Sequence, residues 1–281
     1  MSSTIIGVHG LANKPPRAPH ELDWVKAITE GLQRNSNVSP TTLNFRLVYW
    51  ADVLYQQPVV NDEEPYQQAA STGPLTTYKD GWRDEVRATL SSVGGKAFDA
   101  AKRWLGIDTV ADVVLQAKLK DLAKYYEDAT IRNELRKRLR EVITAEKDKR
   151  LMVIAHSMGS IIGYDVLREL GKENTPIAID HFITIGSPLG LPHVKLKIFE
   201  KNQALRSPSI VRQWTNLADR RDPVAFDTHL GDDYEANDRG VAVRDDLIIN
   251  SYKGPTGKTN YHKIYGYLRA PELSDLVRKF I

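Results

Sequence analysis

Short apolar, β-branched runs alternate along much of the chain with segments whose apolar residues recur at helical spacing. Residues 4–8 and 151–155 are continuous apolar runs, typical of strands buried on both faces of a parallel sheet. Further strands are predicted at residues 43–54, 177–185, 211–215 and 241–249, the last as a hairpin arm or an edge strand. Helices are predicted at residues 23–32, 161–170 and 271–280. This alternation predicts an α/β fold, a mostly parallel sheet with helices on both faces.

The middle of the chain has a different pattern. The proline-rich stretch at residues 14–19 already predicts one loop, and residues 55–95, rich in Gln, Pro, Ser, Thr and Gly, predict a long one with at most short helices. From 111 to 146 the apolar residues recur at spacings of three, four and seven, which predicts one or two amphipathic helices. We therefore divide the chain into a core, residues 1–54 and 150–281, and an insertion, residues 55–149, expected to be a helical cap or lid.

Composition and charge exclude several classes of protein. The 281 residues include no cysteine, which excludes a thiol nucleophile, a Cys-ligated zinc and an iron–sulfur cluster and mildly favours the cytoplasm. The net charge of +3 does not require a nucleic-acid or membrane partner. No apolar run approaches the ~18 residues that a membrane span needs, and residues 1–7 do not resemble a signal peptide. We expect a cytoplasmic protein with no nucleic-acid partner and no transmembrane segment; its oligomeric state is unknown.

Two charged segments are candidate binding sites. The basic run at residues 132–140 has acids interleaved, which favours the solvated face of a helix over an anion-contacting patch. The acidic segment at residues 232–238 lacks the alternating spacing of a calcium loop, so no metal site is predicted.

The most informative motif is Ala155-His156-Ser157-Met158-Gly159, at the junction of a predicted strand and a predicted helix. A nucleophile at such a junction turns sharply out of the sheet, and the turn tolerates only small residues two positions to either side. The turn would point Ser157 into the crevice above the strand ends, where open α/β sheets bind ligands. It also places the Met158 backbone N–H at a helix N-terminus, where a developing oxyanion is stabilised. The alternative interpretation is a serine that caps the helix.

A second oxyanion donor is expected where the first predicted strand ends. The N–H of Leu11, just beyond His9-Gly10, is the candidate, followed by that of Ala12. His9 itself is expected to be a buried structural residue that packs below the site.

A serine hydroxyl becomes a good nucleophile only when a histidine accepts its proton and a carboxylate orients that histidine. His262 is predicted as this base because it lies in a Gly/Thr/Asn-rich loop just before the last helix. His229, in an acidic segment, is the alternative. Of the remaining downstream histidines, His181 is expected to be structural and His193 is a weaker candidate to line the pocket.

The orienting carboxylate is predicted in the segment that follows the strand ending at residue 215. Asp222 is preferred because Pro223 restricts it to an extended conformation and stiffens the turn. Asp219, about one helical turn earlier, is the alternative.

Together these segments resemble the α/β-hydrolase superfamily, in particular its lipase-like serine esterases. The segments that carry the resemblance are Val8-His9-Gly10, Ala155-His156-Ser157-Met158-Gly159, Ile185-Gly186-Ser187-Pro188, Asp222-Pro223-Val224 and His262. The resemblance spans residues 4–54 and 150–281 and leaves the insertion unexplained. It implies an acyl-enzyme mechanism without a cofactor, carried by Ser157, His262 and Asp222, and a pocket wall formed by the Gly-Ser-Pro segment.

We therefore expect a serine hydrolase that cleaves carboxylic esters, with lipid or acyl esters favoured among small-molecule substrates. Leu11 and Met158 are the predicted oxyanion donors, and neither a cofactor nor a metal is expected. The alternatives are an acyltransferase or amidase of the same fold, and a non-catalytic module of this fold that binds another protein.

Overall fold

The strands form one six-stranded sheet in which every neighbouring pair is parallel. The computed structural model describes residues 2–78, 121–173, 175–225 and 227–281. Its strands are β1 (Ser3–Val8), β2 (Phe45–Val48), β3 (Arg150–His156), β4 (His181–Ile185), β5 (Trp214–Ala218) and β6 (Val243–Leu247). The sheet order is β2-β1-β3-β4-β5-β6, so β1 and β3 lie in the interior of the sheet. The predicted α/β fold with a parallel sheet is confirmed.

Helices cover both faces of this sheet. They are α1 (Arg17–Ser36), α2 (Ala51–Leu54), α3 (Ala129–Ala145), α4 (Met158–Lys172), α5 (Pro192–Asn202), α6 (Ile264–Leu268) and α7 (Pro271–Phe280). Residues 121–127 are also helical, and two 3₁₀ turns lie at Pro188–Gly190 and Leu230–Asp232. Helices α1, α6 and α7 share an apolar cluster on one face, whereas α3 and α4 contribute to a second cluster on the other face.

The two clusters explain why β1 and β3 are continuously apolar. Ile6 and Val153 belong to the cluster that contains α3 and α4. Ile5 and Met152, each adjacent in sequence, belong to the cluster on the opposite face. Because successive strand side chains point to opposite faces, covering both faces requires an apolar residue at nearly every position.

Some predicted boundaries were wrong, and the errors have physical causes. Residues 43–54 were predicted as one strand, but β2 ends at Val48 and the short helix α2 follows, since apolar composition alone does not separate a strand from a buried helical turn. β5 begins at Trp214, three residues later than predicted, and Val211 forms only an isolated bridge with Ile179. β6 pairs with β5 in parallel at the sheet edge, so it is an edge strand and not a hairpin arm.

Helix α1 begins earlier than predicted. The stretch at residues 14–19 was expected to be a loop, yet the helix starts at Arg17 and Pro19 lies in its first turn. Proline is tolerated there because the first backbone N–H groups of a helix have no intrahelical acceptor.

The predicted insertion is described only in part. Residues 55–78 contain neither helix nor strand, as expected, and residues 79–120, which include part of the predicted helices, lie outside the described residues. Within the predicted insertion, α3 buries Leu135, Leu139 and Ile143 in the same cluster as β1 and β3. This helix is therefore part of the core packing, while the division of the chain at residues 55–149 stays a prediction.

The basic run at residues 132–140 lies on α3 and is largely ion-paired. Arg136 pairs with Asp165 of α4, and Arg140 pairs with Glu173 at the end of that helix, with an N–O distance of 2.6 Å. The Arg136–Asp165 pair is buried between α3 and α4, whereas Arg140 and Glu173 are partly exposed, so only part of the run lies on the predicted solvated face. None of the helices that the structure describes is long and apolar enough to cross a membrane.

Candidate active site

Ser157 lies at the sharp turn between β3 and α4. Its backbone angles, φ 54° and ψ −131°, are rare for a residue with a side chain and mark local backbone strain. The chain also runs so close to β1 that a Cβ atom at Gly159 would lie 2.4 Å from the carbonyl oxygen of Val8, which requires glycine at this position. The Ser157 side chain makes no capping hydrogen bond to α4, in contrast to the alternative of a helix-capping serine.

Ser157, His262 and Asp222 form a continuous chain of hydrogen bonds. The Oγ of Ser157 lies 3.1 Å from Nε2 of His262, and Nδ1 of His262 lies 2.8 Å from Oδ2 of Asp222. The three side chains come from the end of β3, the loop before α6 and the loop after β5. All three residues are buried; the most exposed, His262, retains 8% of its surface. The structure therefore brings together the three residues that the sequence analysis selected.

Every side-chain oxygen of Asp222 has a defined partner. Oδ1 accepts the N–H of Val224 at 2.8 Å, and Oδ2 accepts the hydroxyl of Tyr267 at 2.7 Å as well as the Nδ1–H of His262. The Tyr267 oxygen itself accepts the backbone N–H of Asp219, so its proton is directed at Asp222. Burial next to Asp222 raises the pKa of Tyr267 well above its ordinary value, and Tyr267 therefore remains a donor.

Sequence reasoning did not select Tyr267. It lies in α6, five positions after His262, and is completely buried. A tyrosine among apolar helix residues is usually a packing residue, so the local pattern does not distinguish one whose hydroxyl contacts a buried carboxylate.

The Gly-Ser-Pro segment begins with Gly186, which lies directly against the side chains of Asp222 and His262. Gly186 has a φ of +53°, and a Cβ atom there would lie 2.9 Å from Oδ2 of Asp222 and 3.3 Å from Nδ1 of His262. Any side chain at this position would therefore displace the hydrogen bond between Asp222 and His262.

His156 supports the imidazole from a second direction. Its Nε2–H donates to the backbone oxygen of His262 at 2.9 Å, and the two rings pack with centroids 4.7 Å apart and an interplanar angle of 33°. The motif at residues 155–159 contains His156, but only the folded chain shows that it contacts the predicted base.

The end of β1 approaches Ser157 from the other side. A Cβ atom at Gly10 would lie 2.6 Å from the Cβ of Ser157, so the backbone that leads to Leu11 passes directly against the serine. Met158 is fully buried at the first position of α4. The N–H of Ala12 donates to Oδ2 of Asp121 at 3.3 Å, which makes it a poorer candidate for an oxyanion donor than that of Leu11. The roles of Leu11 and Met158 stay predictions.

His9 has a structural environment. Its Nε2 accepts the backbone N–H of Trp50 at 3.0 Å, and its Nδ1–H donates to the oxygen of Gly10 at 2.8 Å. Its ring stacks on Trp50 with centroids 4.4 Å apart. Burial, with Lys14 and His20 nearby, lowers the pKa of His9 well below its ordinary value, so the ring stays neutral and fixes the end of β1.

The structure separates the alternatives that the sequence left open. Nδ1 of His229 lies 2.9 Å from the hydroxyl of Thr228, in a loop after β5. Asp219 binds Arg221 and accepts the backbone N–H of Asn250 at 2.6 Å. The side chains joined by hydrogen bonds at the turn are instead those of Ser157, His262 and Asp222.

The remaining histidines also have defined surroundings. His181 is buried, its Nε2 lies 2.8 Å from the hydroxyl of Thr215, and burial lowers its pKa to about 4. His193 is exposed, and its ring packs edge-on against that of Tyr126, with the ring centroids 6.0 Å apart. In the part of the chain that the structure describes, no group of three or more His, Asp or Glu residues is arranged to hold a metal ion.

Comparison with known proteins supports the fold. Residues 117–217 match the model of a family described as alpha/beta hydrolase of unknown function (DUF900). The matched segment contains β3, α4 and β4 and includes Ser157, whereas Asp222 and His262 lie beyond its end. No curated protein and no solved structure matches the chain. The six-stranded parallel sheet and this match, which covers less than half of the chain, together support an α/β-hydrolase fold.

Proposed function

We propose that this α/β hydrolase is a serine esterase that cleaves carboxylic esters through an acyl-enzyme. The observation that carries the proposal is the buried chain of hydrogen bonds from Ser157 through His262 to Asp222. In such an arrangement the carboxylate fixes the imidazole with a proton on Nδ1, so that Nε2 is the acceptor for the serine proton. The strained backbone of Ser157, which holds its hydroxyl at the turn, supports the same assignment.

The proposed reaction has two half-reactions. In the first, His262 accepts the proton of Ser157 as Oγ attacks the ester carbonyl, and the backbone N–H groups of Leu11 and Met158 stabilise the oxyanion. The carbon–oxygen bond of the ester breaks, and His262 protonates the leaving alcohol. In the second, His262 removes a proton from water, which attacks the acyl group on Ser157; the bond from the acyl carbon to Oγ then breaks, His262 returns the proton to Oγ, and the acid is released. Asp222 keeps the imidazole oriented throughout.

The substrate proposal is a small-molecule or lipid ester, and it rests on the resemblance to lipase-like esterases. In this proposal Leu11 and the residues that follow Gly186 form walls of the acyl pocket. The same acyl-enzyme also serves acyl transfer to an alcohol and amide hydrolysis, so the measurement has to distinguish these reactions.

The first test compares variants of the proposed nucleophile and the proposed base with one matched control. Ser157→Ala and His262→Gln are expected to lower the hydrolysis of p-nitrophenyl acyl esters by on the order of 10³-fold or more. His229→Gln is the matched control and should keep the activity of the unmodified protein. Circular dichroism melts of all variants establish that the fold is retained.

Three outcomes would contradict the proposal or redirect it. Undiminished hydrolysis by Ser157→Ala would reject the nucleophile. A predominant ester product in the presence of added alcohol would indicate an acyltransferase. Failure of a fluorophosphonate probe to label Ser157, together with no hydrolysis of any ester in a panel of graded chain length, would favour the non-catalytic protein-binding module.

A further inference from the structure

The loop that carries His262 is long and irregular. Residues 248–263, between β6 and α6, contain no helix and a single isolated bridge, and residues 255–258 are exposed. In the reaction proposed above, Nε2 of His262 has to stay within hydrogen-bond distance of the Ser157 hydroxyl. Because loops are more mobile than helices and strands, contacts from outside the last turn of this loop are needed to hold the imidazole in place.

Asn250 makes such contacts on both sides of His262. Its side-chain amide donates to the backbone oxygen of Tyr261 and to that of Lys263, both at 2.9 Å. Tyr261 and Lys263 are the residues immediately before and after His262. Asn250 is buried, with 1% of its surface exposed. A single planar amide therefore fixes the backbone on either side of the imidazole.

The orientation of this amide is itself determined. Its Oδ1 accepts the backbone N–H of Tyr252 at 3.0 Å, so the nitrogen and the oxygen of the side chain have different partners. The contact of Asn250 with Asp219 is made instead by the backbone N–H of Asn250. A buried amide that has all of these hydrogen bonds holds its position firmly, since each bond left unmade would cost the free energy of desolvation.

Helix α6 leaves space for this amide at Gly266. A Cβ atom there would lie 1.6 Å from Oδ1 of Asn250 and 2.4 Å from its Cγ, so any other residue would displace the side chain. The next residue, Tyr267, donates to the carboxylate of Asp222. One turn of α6 therefore accommodates Asn250 and also holds the carboxylate that orients His262.

The other backbone contacts of His262 are more local. Its N–H donates to Oδ1 of Asn260 at 2.9 Å, and its oxygen accepts the Nε2–H of His156. Asn260 belongs to the same loop and moves with it, and His156 contacts one backbone atom. Asn250 differs from both because it binds the two neighbours of His262 at once.

We propose that Asn250 is a positioning residue for the base of this site. By binding the carbonyl groups on either side of His262, it holds the imidazole between Ser157 and Asp222. The inference rests on the proposed function, which gives His262 the role of base, and Asn250 itself touches neither the substrate nor the reacting atoms. A misplacement of about 1 Å can cost on the order of 10²-fold in rate, so a loosened loop has a measurable effect on kcat.

Asn237 provides a matched control. Its buried side-chain amide also donates to two backbone oxygens, those of Pro208 and Val211 at 2.9 and 3.1 Å, and its Oδ1 accepts two backbone N–H groups. It precedes β6, at the amino ends of the parallel strands, whereas Ser157 follows β3 at their carboxyl ends. Replacing either asparagine by alanine removes comparable hydrogen bonds, and only one of the two substitutions affects the loop of His262.

The kinetic test compares these two asparagines. Asn250→Ala should lower kcat for a p-nitrophenyl ester by about tenfold or more and change KM less than about twofold, because it displaces the base and not the substrate pocket. Asn237→Ala should keep both constants although its melting temperature falls by a similar amount. Should Asn250→Ala not fold, Asn250→Asp has the same shape, keeps the acceptor for Tyr252 and loses both donors, so it should lower kcat in the same way.

A second measurement does not depend on ester hydrolysis. The proton on Nδ1 of His262, hydrogen-bonded to Asp222, should give a downfield NMR resonance that is identified by its absence in His262→Gln. We expect this resonance to shift or broaden in Asn250→Ala and to stay unchanged in Asn237→Ala.

The outcomes separate this inference from the proposed function. The positioning role is rejected if Asn250→Ala keeps both kcat and the resonance, or if the two alanine variants lose kcat to the same extent. If the unmodified protein hydrolyses no ester, the proposed function fails, and a resonance altered in Asn250→Ala alone would still support the role of Asn250.

Discussion

Ser157 lies between two regions that hold their functional groups in different ways. On one side, the base side, the loop after β5 contributes Asp222, the loop before α6 contributes His262, and α6 contributes Tyr267. On the other, the donor side, the loop after β1 contributes Leu11 and Ala12. The base side consists of fully buried groups, whereas Leu11 and Ala12 are half-buried.

The base side is stabilised from within the core. Asp222 receives hydrogen bonds from Val224, Tyr267 and His262, and Gly186 makes room for them below. Gly186 and Val224 follow β4 and β5, His262 precedes α6, and Tyr267 lies in α6 within the apolar cluster on that face of the sheet. Their geometry is therefore fixed once the sheet has formed.

The donor side depends on a distant part of the chain. The N–H of Ala12 and the hydroxyl of Tyr55 both donate to Oδ2 of Asp121, which lies in the helical residues just before α3. The Nζ of Lys14 donates to the backbone oxygens of Leu11 and Ala12. The base side is thus held by the core, whereas the donor side forms hydrogen bonds to a residue of the predicted insertion.

The largest effect is expected from a substitution that disrupts the base side alone. Asp222→Asn should lower kcat by on the order of 10³- to 10⁴-fold, because an amide no longer fixes the imidazole tautomer or stabilises its positive charge. Asp219→Asn is the matched control, three positions earlier on the same loop. Its carboxylate binds Arg221 and Asn250, so it should change kcat less than about threefold while lowering thermal stability. Equal losses in the two variants would contradict the assignment of Asp222. Initial rates with a p-nitrophenyl ester, together with melting curves, make the comparison.

An intermediate effect is expected on the donor side. Asp121→Ala removes the acceptor shared by Ala12 and Tyr55, and we expect kcat/KM to fall by about tenfold because the loop that carries Leu11 is less well positioned. Asp52→Ala removes an exposed carboxylate that pairs with Arg138 and should have no effect on kcat/KM. Steady-state kinetics with one ester measures both. If Asp121→Ala keeps full activity, the donor side does not depend on the insertion.

The smallest effect is expected from Tyr267→Phe, which tests how the base side is held. Tyr267 donates to the oxygen of Asp222 that also binds His262, and it thereby withdraws negative charge from the carboxylate. In Tyr267→Phe the carboxylate should stabilise the protonated imidazole more strongly. Because attack requires the neutral ring, the acidic limb of the kcat/KM profile is expected to move to higher pH by about half a unit, which equals about 0.7 kcal/mol.

Tyr265→Phe, two positions earlier in α6, is the control for this shift. Tyr265 packs against Tyr66 and Tyr252, away from the carboxylate. A pH profile that is identical in the two variants would show that Tyr267 only fills space. A shift in Tyr267→Phe alone would establish it as a positioning residue.

Local signals in the sequence explain the successful part of the prediction. β1 and β3 were recognised because burial on both faces makes them continuously apolar, and Pro271 marked the start of α7. Ser157 was found because the small residues that its turn requires stand at fixed positions beside it. The end of β2 was missed because the apolar residues of α2 follow it closely, and the start of β5 was missed because the apolar, buried Val211 precedes it.

The sequence by itself determined the alternation of strands and helices, the position of the turn at Ser157 and a short set of candidate partners. Only the tertiary structure decided which imidazole contacts the serine and which carboxylate contacts that imidazole. It also showed the contacts of Tyr267 and Asp121, which no pattern in the sequence had indicated. The physical reason is distance along the chain. His262 lies 105 positions from Ser157 and 40 from Asp222, and contacts over such separations arise from the packing of whole elements. Periodicity and turn chemistry report only on the few residues within one element.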